Sequence, residues 1–354
     1  MAISAFISKD DTITLKEAIK FLDIGGRSIL IFTDENDVLQ GILTDGDVRR
    51  TILSGGKLDS IVTNIINRNP KTASINDSTE HIEELLRKLR LTSIPLVDEN
   101  NVIKDIFFLS KFDVFNEENK DIPVIIMAGG KGGRLEPFTK ILPKPLIPIK
   151  GKPVVETIID NFKHKGFQNF MLSVNYKKEF IKMYFQYNKF DFNVSFIEEP
   201  GKFLGTMGAL SLARNKLKED FFVINCDTLV NVDYDDIIQK HKENKNDLTI
   251  VACMKQTKIP YGVIDLDAQG NLAEVREKPE IHNLVIVGLY LINPSVMKYI
   301  PDNTYYDVTN LIEDLKADNK RIGIYPITEK KWFDVGQWEE YQTTLRKFDS
   351  IVKD

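Results

Sequence analysis

The sequence predicts a two-part chain whose larger part is an α/β domain, and three observations carry that expectation. From Ile122 onward, apolar runs of strand length alternate with stretches of helical period, the pattern of a sheet covered by helices. Residues 1–118 contain an internal repeat whose copies each read as a small α+β unit. At the start of the larger part, the apolar run Val124–Met127 breaks abruptly into Gly129, Gly130, Gly132 and Gly133. At 354 residues the chain is long for one domain and suits two.

The repeat aligns SILIFTDENDVLQGILTDGDV (28–48) with SIPLVDENNVIKDIFFLSKF (93–112). Asp34-Glu35-Asn36 falls on Asp98-Glu99-Asn100, a spacing of 98 − 34 = 64 residues. Each copy, about 1–60 and 61–118, reads as a helix, a strand, an acidic turn and a second strand. Thr14-x-x-Glu17 opens the first helix as a capping box and Gly25-Gly26 closes it. In the second copy Asp77 is the expected cap, ahead of a helix with Ile82, Leu85, Leu86 and Leu89 on one face. Each copy is too small for a substantial core, so the two are expected to pack together. Asn116–Asp121 holds no apolar residue and reads as the linker to a domain over 122–350.

In that domain Pro153 marks a helix start, Val154, Ile158, Ile159 and Phe162 its apolar side, and Gly166 its end. Strands are expected at 169–174, 193–197, 221–225 and 247–255. A hairpin follows from 261–267 through Gln269-Gly270-Asn271 to 272–277, and strands at 284–292 and 321–327 complete the sheet.

Composition narrows the function. Hydrophobic content of 42% and charged content of 28% are those of an ordinary globular protein. A net charge of −5 and a pI near 5.6 argue against a general nucleic-acid binder. Two cysteines, Cys226 and Cys253, give no disulfide framework and suit a reducing cytoplasm. MAISAFISKDD lacks the charged and apolar regions of a signal peptide, and no run reaches the roughly 18 apolar residues of a membrane span. The four histidines are scattered among polar neighbours, which disfavours a histidine metal site or nucleophile system.

The stretch VIIMAGGKGGRLEPFTKILPKPLIPIKGKP (124–153) carries the chemistry. Glycines let the backbone turn sharply and approach another molecule closely. Exposed N–H groups after a strand form an anion-binding concavity, and Arg134 and Lys144 add positive charge beside it. A polyphosphate suits such a place. Neither G-x-x-x-x-G-K-[ST] nor G-x-G-x-x-G is present, and GGKGG alone is equally the sequence of a mobile surface loop. Its continuation, Arg134-Leu135 and Pro143-Lys144-Pro145-Leu146, resembles the signature of the sugar-1-phosphate nucleotidyltransferases, GGxGxRLxPLTxxxPKPLxPxxxKP. Gly133 stands for the frequent Thr and Phe138 for the frequent Leu.

The resemblance, over about 122–348, implies a Rossmann-like mixed sheet with the active site over the carboxyl ends of its strands. It implies that Ala128, Gly129, Gly130 and Gly132 meet the nucleotide, with Gly205 and Thr206 of LGTMGA (204–209) against the nucleoside. Glu198 and Glu199 stand where family members contact the base edge. A carboxylate accepts two N–H bonds from guanine but one from uracil, which favours GTP, while salt-bridged surface glutamates are the other reading. Asp227, after the apolar run Phe221–Asn225, and Asp334 of Trp332-Phe333-Asp334-Val335-Gly336 resemble the family's Mg²⁺ ligands. Tyr261-Gly262 resembles the pair that meets the sugar, and Glu277-Lys278 the acid and base that hold sugar hydroxyls and phosphate.

The N-terminal repeat resembles a tandem CBS-domain pair, modules that bind adenosyl nucleotides and regulate attached enzymes. In GILTDGD, Thr44 would face a phosphate and Asp47 a ribose diol. The second copy has Phe108 and Lys111 there, so only the first cleft keeps the carboxylate. A pure packing or dimerisation unit is the alternative, and a homodimer or tetramer is expected.

Chemistry follows from the resemblance. A sugar 1-phosphate has a second pKa of about 6, so at neutral pH it is a nucleophile that needs no activating base. Arg134 would hold the leaving phosphates, Lys144 the α-phosphoryl group and Lys278 the incoming phosphate. The CBS fusion and the GILTDGDVRR stretch resemble guanylyltransferases that make GDP-glucosamine for legionaminic acid, which ranks GTP with glucosamine 1-phosphate first. Mannose or heptose 1-phosphate follows, then UTP or dTTP with glucose 1-phosphate. A nucleotide sensor with an inactive transferase domain is the non-enzyme reading, disfavoured by the intact Arg134, Lys144, Asp227, Lys278 and Asp334 set.

Overall fold

Val124–Met127 (β1) carries neither charge nor polar side chain, and such a strand needs cover on both faces. In the computed structural model, which describes residues 7–25, 29–89, 91–109, 120–149 and 151–351, it lies inside a seven-stranded sheet. The other strands are Asn169–Val174 (β2), Asn193–Glu198 (β3), Phe221–Asn225 (β4), Leu248–Lys258 (β5), Glu280–Ile292 (β6) and Ile322–Ile327 (β7). Their order is β3-β2-β1-β4-β6-β5-β7. β3, β2, β1 and β4 are parallel neighbours, β6 is antiparallel between β4 and β5, and β7 is parallel to β5. The sheet is mixed, with β6 as the reversed strand.

Alternation along the strands serves two cores. Val124, Ile126, Phe222 and Ile224 pack with the helices Val154–Lys163 (α1), Lys178–Tyr187 (α2) and Tyr234–Glu243 (α3). Ile125, Val223 and Ile250 pack on the opposite face with Leu311 and Leu315 of Val308–Ala317 (α4). On the first face Phe162, Phe167, Phe222 and Tyr234 form an aromatic cluster with ring centroids 4.3 to 5.8 Å apart.

The strand order fixes where a ligand fits. From β1 the chain goes to β2 and β3 on one side, then returns to β4 on the other. At that reversal the loops after β1 and β4 leave in opposite directions and open a crevice at the carboxyl edge. Met127 pairs with Asn225 and with Ser173, so the glycine run, the turn holding Asp227 and the segment after β2 leave the sheet side by side.

The chain divides into two compact units, Met1–Glu117 and Glu118–Asp354. In the smaller one, Ile29–Thr33 pairs with Leu39–Thr44 and Ser93–Val97 with Ile103–Phe108. The copies meet about a local two-fold through Val38 and Val102, which are 64 residues apart and bridge each other. Asp34 and Asp98 each accept the amides two and four residues on, at 2.9 and 3.0 Å. Ile29, Ile31, Leu39, Val97, Ile103 and Ile106 form one core from both copies.

Several local expectations are corrected. Thr14 and Glu17 do cap each other, but Ser78, not Asp77, caps the second helix, its Oγ accepting the His81 amide at 3.3 Å. Asp77 instead accepts the Ser74 amide at 2.9 Å. Ser78 is the repeat equivalent of Thr14, a signal present in the spacing. β5 and β6 run to Lys258 and start at Glu280, longer than expected, because they continue as a paired ribbon beyond the sheet. Lys120 is part of the larger unit, its amide donating to Gly166 O at 2.9 Å. Gly26, Lys111 and the expected linker residues 116–119 lie outside the described residues. Among the described residues no helix is long and apolar enough to cross a membrane.

Candidate active site

The glycine run is pinned on one side and open on the other. Gly129 O accepts the Tyr176 amide at 3.1 Å, and a Cβ on Gly129 would press into the Glu199 carboxylate and stand 3.2 Å from Asn175 Cβ. Gly132 has φ +69°, and a Cβ there would meet Thr139 Cγ2 at 2.8 Å and Lys144 Cβ at 3.0 Å. Nothing lies within 4 Å of a Cβ on Gly130 or Gly133. Ala128 is buried, its amide donating to Ser173 O at 2.8 Å, and Gly129 is buried too, so the run becomes exposed only from Gly130 on. Arg134 follows in a short 3₁₀ turn, exposed, with no hydrogen bond or ion pair to another described residue.

Lys144 and Asp227 form an ion pair across this crevice, their side chains only 11% and 16% exposed. Asp334 reaches the same place from far along the chain. Thr228–Val230 pairs antiparallel with Trp332–Asp334, and the Val335 amide donates to Asp227 O at 2.9 Å. Gly336 completes the group by donating its amide to Asp334 Oδ1 at 2.7 Å. A Cβ on Gly336 would press on Asp227 Oδ2, lie 2.9 Å from Asp334 Oδ1 and 3.2 Å from Lys144 Nζ. Two carboxylates and one ammonium thus converge on one bare backbone atom. Burial pushes the Asp334 carboxyl above the usual range, with the negative charge of Asp227 adding to it. The Cys226 thiol beside them is pushed by burial up to about 12 and is no nucleophile.

The two glutamates, expected side by side near a base edge, have different partners. They are adjacent at the strand end, so the pleat sends them apart. Glu198 faces Lys178 and Lys182, accepting from them at 2.8 and 2.9 Å, and these lysines hold its carboxyl at about 2. Glu199 is 5% exposed and accepts from Ser173 Oγ, Asn175 Nδ2 and the Leu204 amide at 3.3, 3.2 and 2.9 Å. Glu199 lies beneath the glycine run; Glu198 is tied away from it.

The turn at Gly205 is likewise engaged. Gly205 has φ +74°, the Thr206 amide donates to Asp307 Oδ1 at 3.1 Å, and the Met207 and Gly208 amides donate to Tyr306 O at 3.0 and 2.8 Å. These donors hold the turn on the chain itself, so a nucleoside would meet its surface rather than its amides. Tyr261, Gly262, Glu277 and Lys278 form a separate group where the hairpin Val263–Leu266/Leu272–Arg276 joins the ribbon. Tyr261 is 74% exposed, a Cβ on Gly262 would lie 3.2 Å from Glu277 Oε2, and Lys278 Nζ is 3.7 Å from Glu277 Oε1. Thr44 and Asp47 in the smaller unit form a capping box, Thr44 donating through its amide at 2.8 Å and its hydroxyl at 2.6 Å, while Arg50 pairs with Asp47.

The nucleotidyl transferase family model matches residues 123–350. The chain belongs to that family. A CBS domain model matches residues 62–107. Among curated relatives, this nucleotidyl transferase is 32% identical to "Probable mannose-1-phosphate guanylyltransferase 3" of Oryza sativa subsp. japonica over 65% of each chain. It is 29% identical to a UTP–glucose-1-phosphate uridylyltransferase of Synechocystis sp., covering 63% of this chain and 62% of that one. The chain therefore spans about two thirds of the length of these relatives, and slightly less than that in each case. Among solved structures, HddC from Yersinia pseudotuberculosis complexed with GMP-PN matches with TM-score 0.50 and 26% identity, over 64% of this chain and 99% of that one.

Gly336, Asn175 and Asp307 lie outside the set of expected site residues. Gly336 closes the W-x-D-V-G run, where a bare position two residues after a carboxylate was the available signal. Asp307 leaves no local signal, because only the packed turn shows what it holds.

Proposed function

We propose that this nucleotidyl transferase moves a nucleotidyl group from a nucleoside triphosphate to a sugar 1-phosphate, releasing pyrophosphate. The convergence of Lys144, Asp227 and Asp334 on Gly336, beside the open edge of the glycine run, carries this reading. The site residues suit Mg²⁺. Two hard carboxylates with room for phosphate oxygens and water are its preferred set, and the bare Gly336 leaves the space between them clear. Asp227 and Asp334 would hold the ion, which when bound neutralises phosphate charge.

The remaining steps belong to the chain. A phosphate oxygen of the sugar 1-phosphate attacks the α-phosphorus in line; the bond to the bridging β-oxygen breaks and its electron pair leaves with pyrophosphate. The dianionic nucleophile needs no proton acceptor, and the site offers no histidine or thiolate for one. Gly129, Gly130 and Gly132 let the triphosphate approach the backbone, Arg134 meets the leaving phosphates, and Lys144 turns from Asp227 to the α-phosphoryl oxygen. Tyr261, Gly262, Glu277 and Lys278 orient the glycosyl phosphate. Catalysis is placement and charge neutralisation.

GTP with glucosamine 1-phosphate is the first pair in this reading, for legionaminic acid or another surface glycan. The rice relative's name and the GMP-PN complex of HddC support a guanine nucleotide. Mannose or heptose 1-phosphate is the next acceptor. The Synechocystis relative supports a UTP–glucose-1-phosphate reaction as the second reading. Residues 1–60 and 61–118 would form a CBS pair, with Thr44 and Asp47 meeting a regulatory nucleotide; the two-fold about Val38 and Val102 supports this. Two free, buried cysteines support a cytoplasmic site of action, and assembly as a dimer or tetramer fits the CBS pair. A pyrophosphate-release screen of four triphosphates against a panel of sugar 1-phosphates tests the proposal. One pair should release pyrophosphate at a rate well above all others; release from none would refute it.

A further inference from the structure

The segment after β2, Asn175-Tyr176-Lys177, has no assigned role, yet it grips the phosphate loop from both ends. At the near end Tyr176 N donates to Gly129 O at 3.1 Å, and Asn175 holds Glu199 beneath Gly129. At the far end the Lys177 ammonium donates to three successive carbonyls, those of Thr139, Lys140 and Ile141, at 3.3, 2.6 and 3.0 Å. An ammonium has three donors, and all three are matched by one turn. Tyr176 Oη adds a bond to Thr139 O at 3.4 Å. Lys177 holds φ +51°, a left-handed backbone that a lysine rarely adopts, and this aims its side chain back across the sheet edge.

The gripped turn links the two cations of the loop. It lies between Arg134 and Lys144, and Thr139 at its start is buried, donating through its hydroxyl to Gly132 O at 3.0 Å. Thr139 Cγ2 and Lys144 Cβ are the atoms that stand closest to the Cβ position of Gly132. A shift of the turn therefore moves Gly132 and Lys144 together, while Asp227 and Asp334 stay on other elements.

We propose that Lys177 is a positioning residue that fixes the 139–141 turn and so sets the glycine run and Lys144 against Asp227. The consequence for turnover rests on the reaction proposed above; the clamp itself does not. Asparagine tolerates the left-handed backbone, so Lys177→Asn removes the ammonium without adding strain. Arginine keeps the charge and offers several N–H donors to the same carbonyls.

The test pairs hydrogen exchange with steady-state kinetics on the full chain, for wild type, Lys177→Asn and Lys177→Arg. The amides of Lys140, Ile141 and Leu142 close this turn by donating to Pro137 O, Phe138 O and Phe138 O. In Lys177→Asn they should exchange at least about tenfold faster, with the thermal midpoint little changed. kcat/KM for the triphosphate should fall between about tenfold and a hundredfold, as for a displaced reacting group, while KM for the sugar 1-phosphate stays the same. Lys177→Arg should recover most of both effects. Unchanged exchange in Lys177→Asn overturns the clamp. Faster exchange with unchanged kinetics overturns the positioning role. If wild type turns over no substrate pair, the reaction proposal fails, and the exchange result still decides the clamp.

Discussion

The amide of Val335 donates to the carbonyl of Asp227 across 2.9 Å, joining two segments 108 residues apart at the sheet's carboxyl edge. This backbone bond continues the pairing of Thr228–Val230 with Trp332–Asp334, which brings both aspartates, with Lys144, to Gly336. The site is thus fixed by main-chain pairing, and its side chains are carried there.

Gly336→Ala should abolish turnover without unfolding the chain. Its Cβ would fill the point on which Asp227, Asp334 and Lys144 converge. A fall in kcat of about 10²-fold or more is expected, with circular dichroism unchanged. Activity close to wild type would show that the space is not used.

Glu199 and Glu198 should behave oppositely. Glu199→Ala takes the partner from the Leu204 amide and the Ser173 hydroxyl in a buried place, costing about 1–3 kcal/mol and raising KM for the triphosphate. Glu198→Gln should leave KM unchanged and cost less than about 1 kcal/mol at pH 7, since its lysine pairs are exposed. Thermal melts and triphosphate titrations of the two variants check this directly.

The Glu198 pair also has a pH signature. Its folded pKa of about 2 is below the ordinary 4.5, so the folded chain binds fewer protons there. The contribution to stability is present above pH 4.5 and is lost as pH falls towards about 2. Melting temperatures of wild type and Glu198→Gln should therefore converge across that window. A constant gap would remove the ion pair as its cause.

Phe162→Ala should cost about 3–5 kcal/mol, because Phe162 is fully buried against Phe167, Phe222 and Tyr234. Chemical denaturation reads this. The loss should fall on the larger unit, whose core holds the cluster.

Much of this architecture was legible in the sequence, for identifiable reasons. The apolar run between Pro123 and Gly129 marks β1, and apolar runs between polar residues mark β2 and β4, because buried strands tolerate little else. The 64-residue spacing foretells the bridge between Val38 and Val102. What stayed hidden depends on side-chain direction or on distant pairing. Adjacent Glu198 and Glu199 look equivalent in one dimension, yet one strand pleat separates a lysine-bound surface carboxylate from a buried one. Nothing local to Asn175-Tyr176-Lys177 shows that its last residue reaches three carbonyls almost forty residues earlier.

The most direct measurement is Mg²⁺-dependent pyrophosphate release from GTP and glucosamine 1-phosphate by wild type, Asp227→Asn and Asp334→Asn. Release by wild type that stops on chelation, and that drops about 10²-fold or more in each variant, is the predicted result. Undiminished release by either variant, or none by wild type from any triphosphate and sugar 1-phosphate, would contradict it.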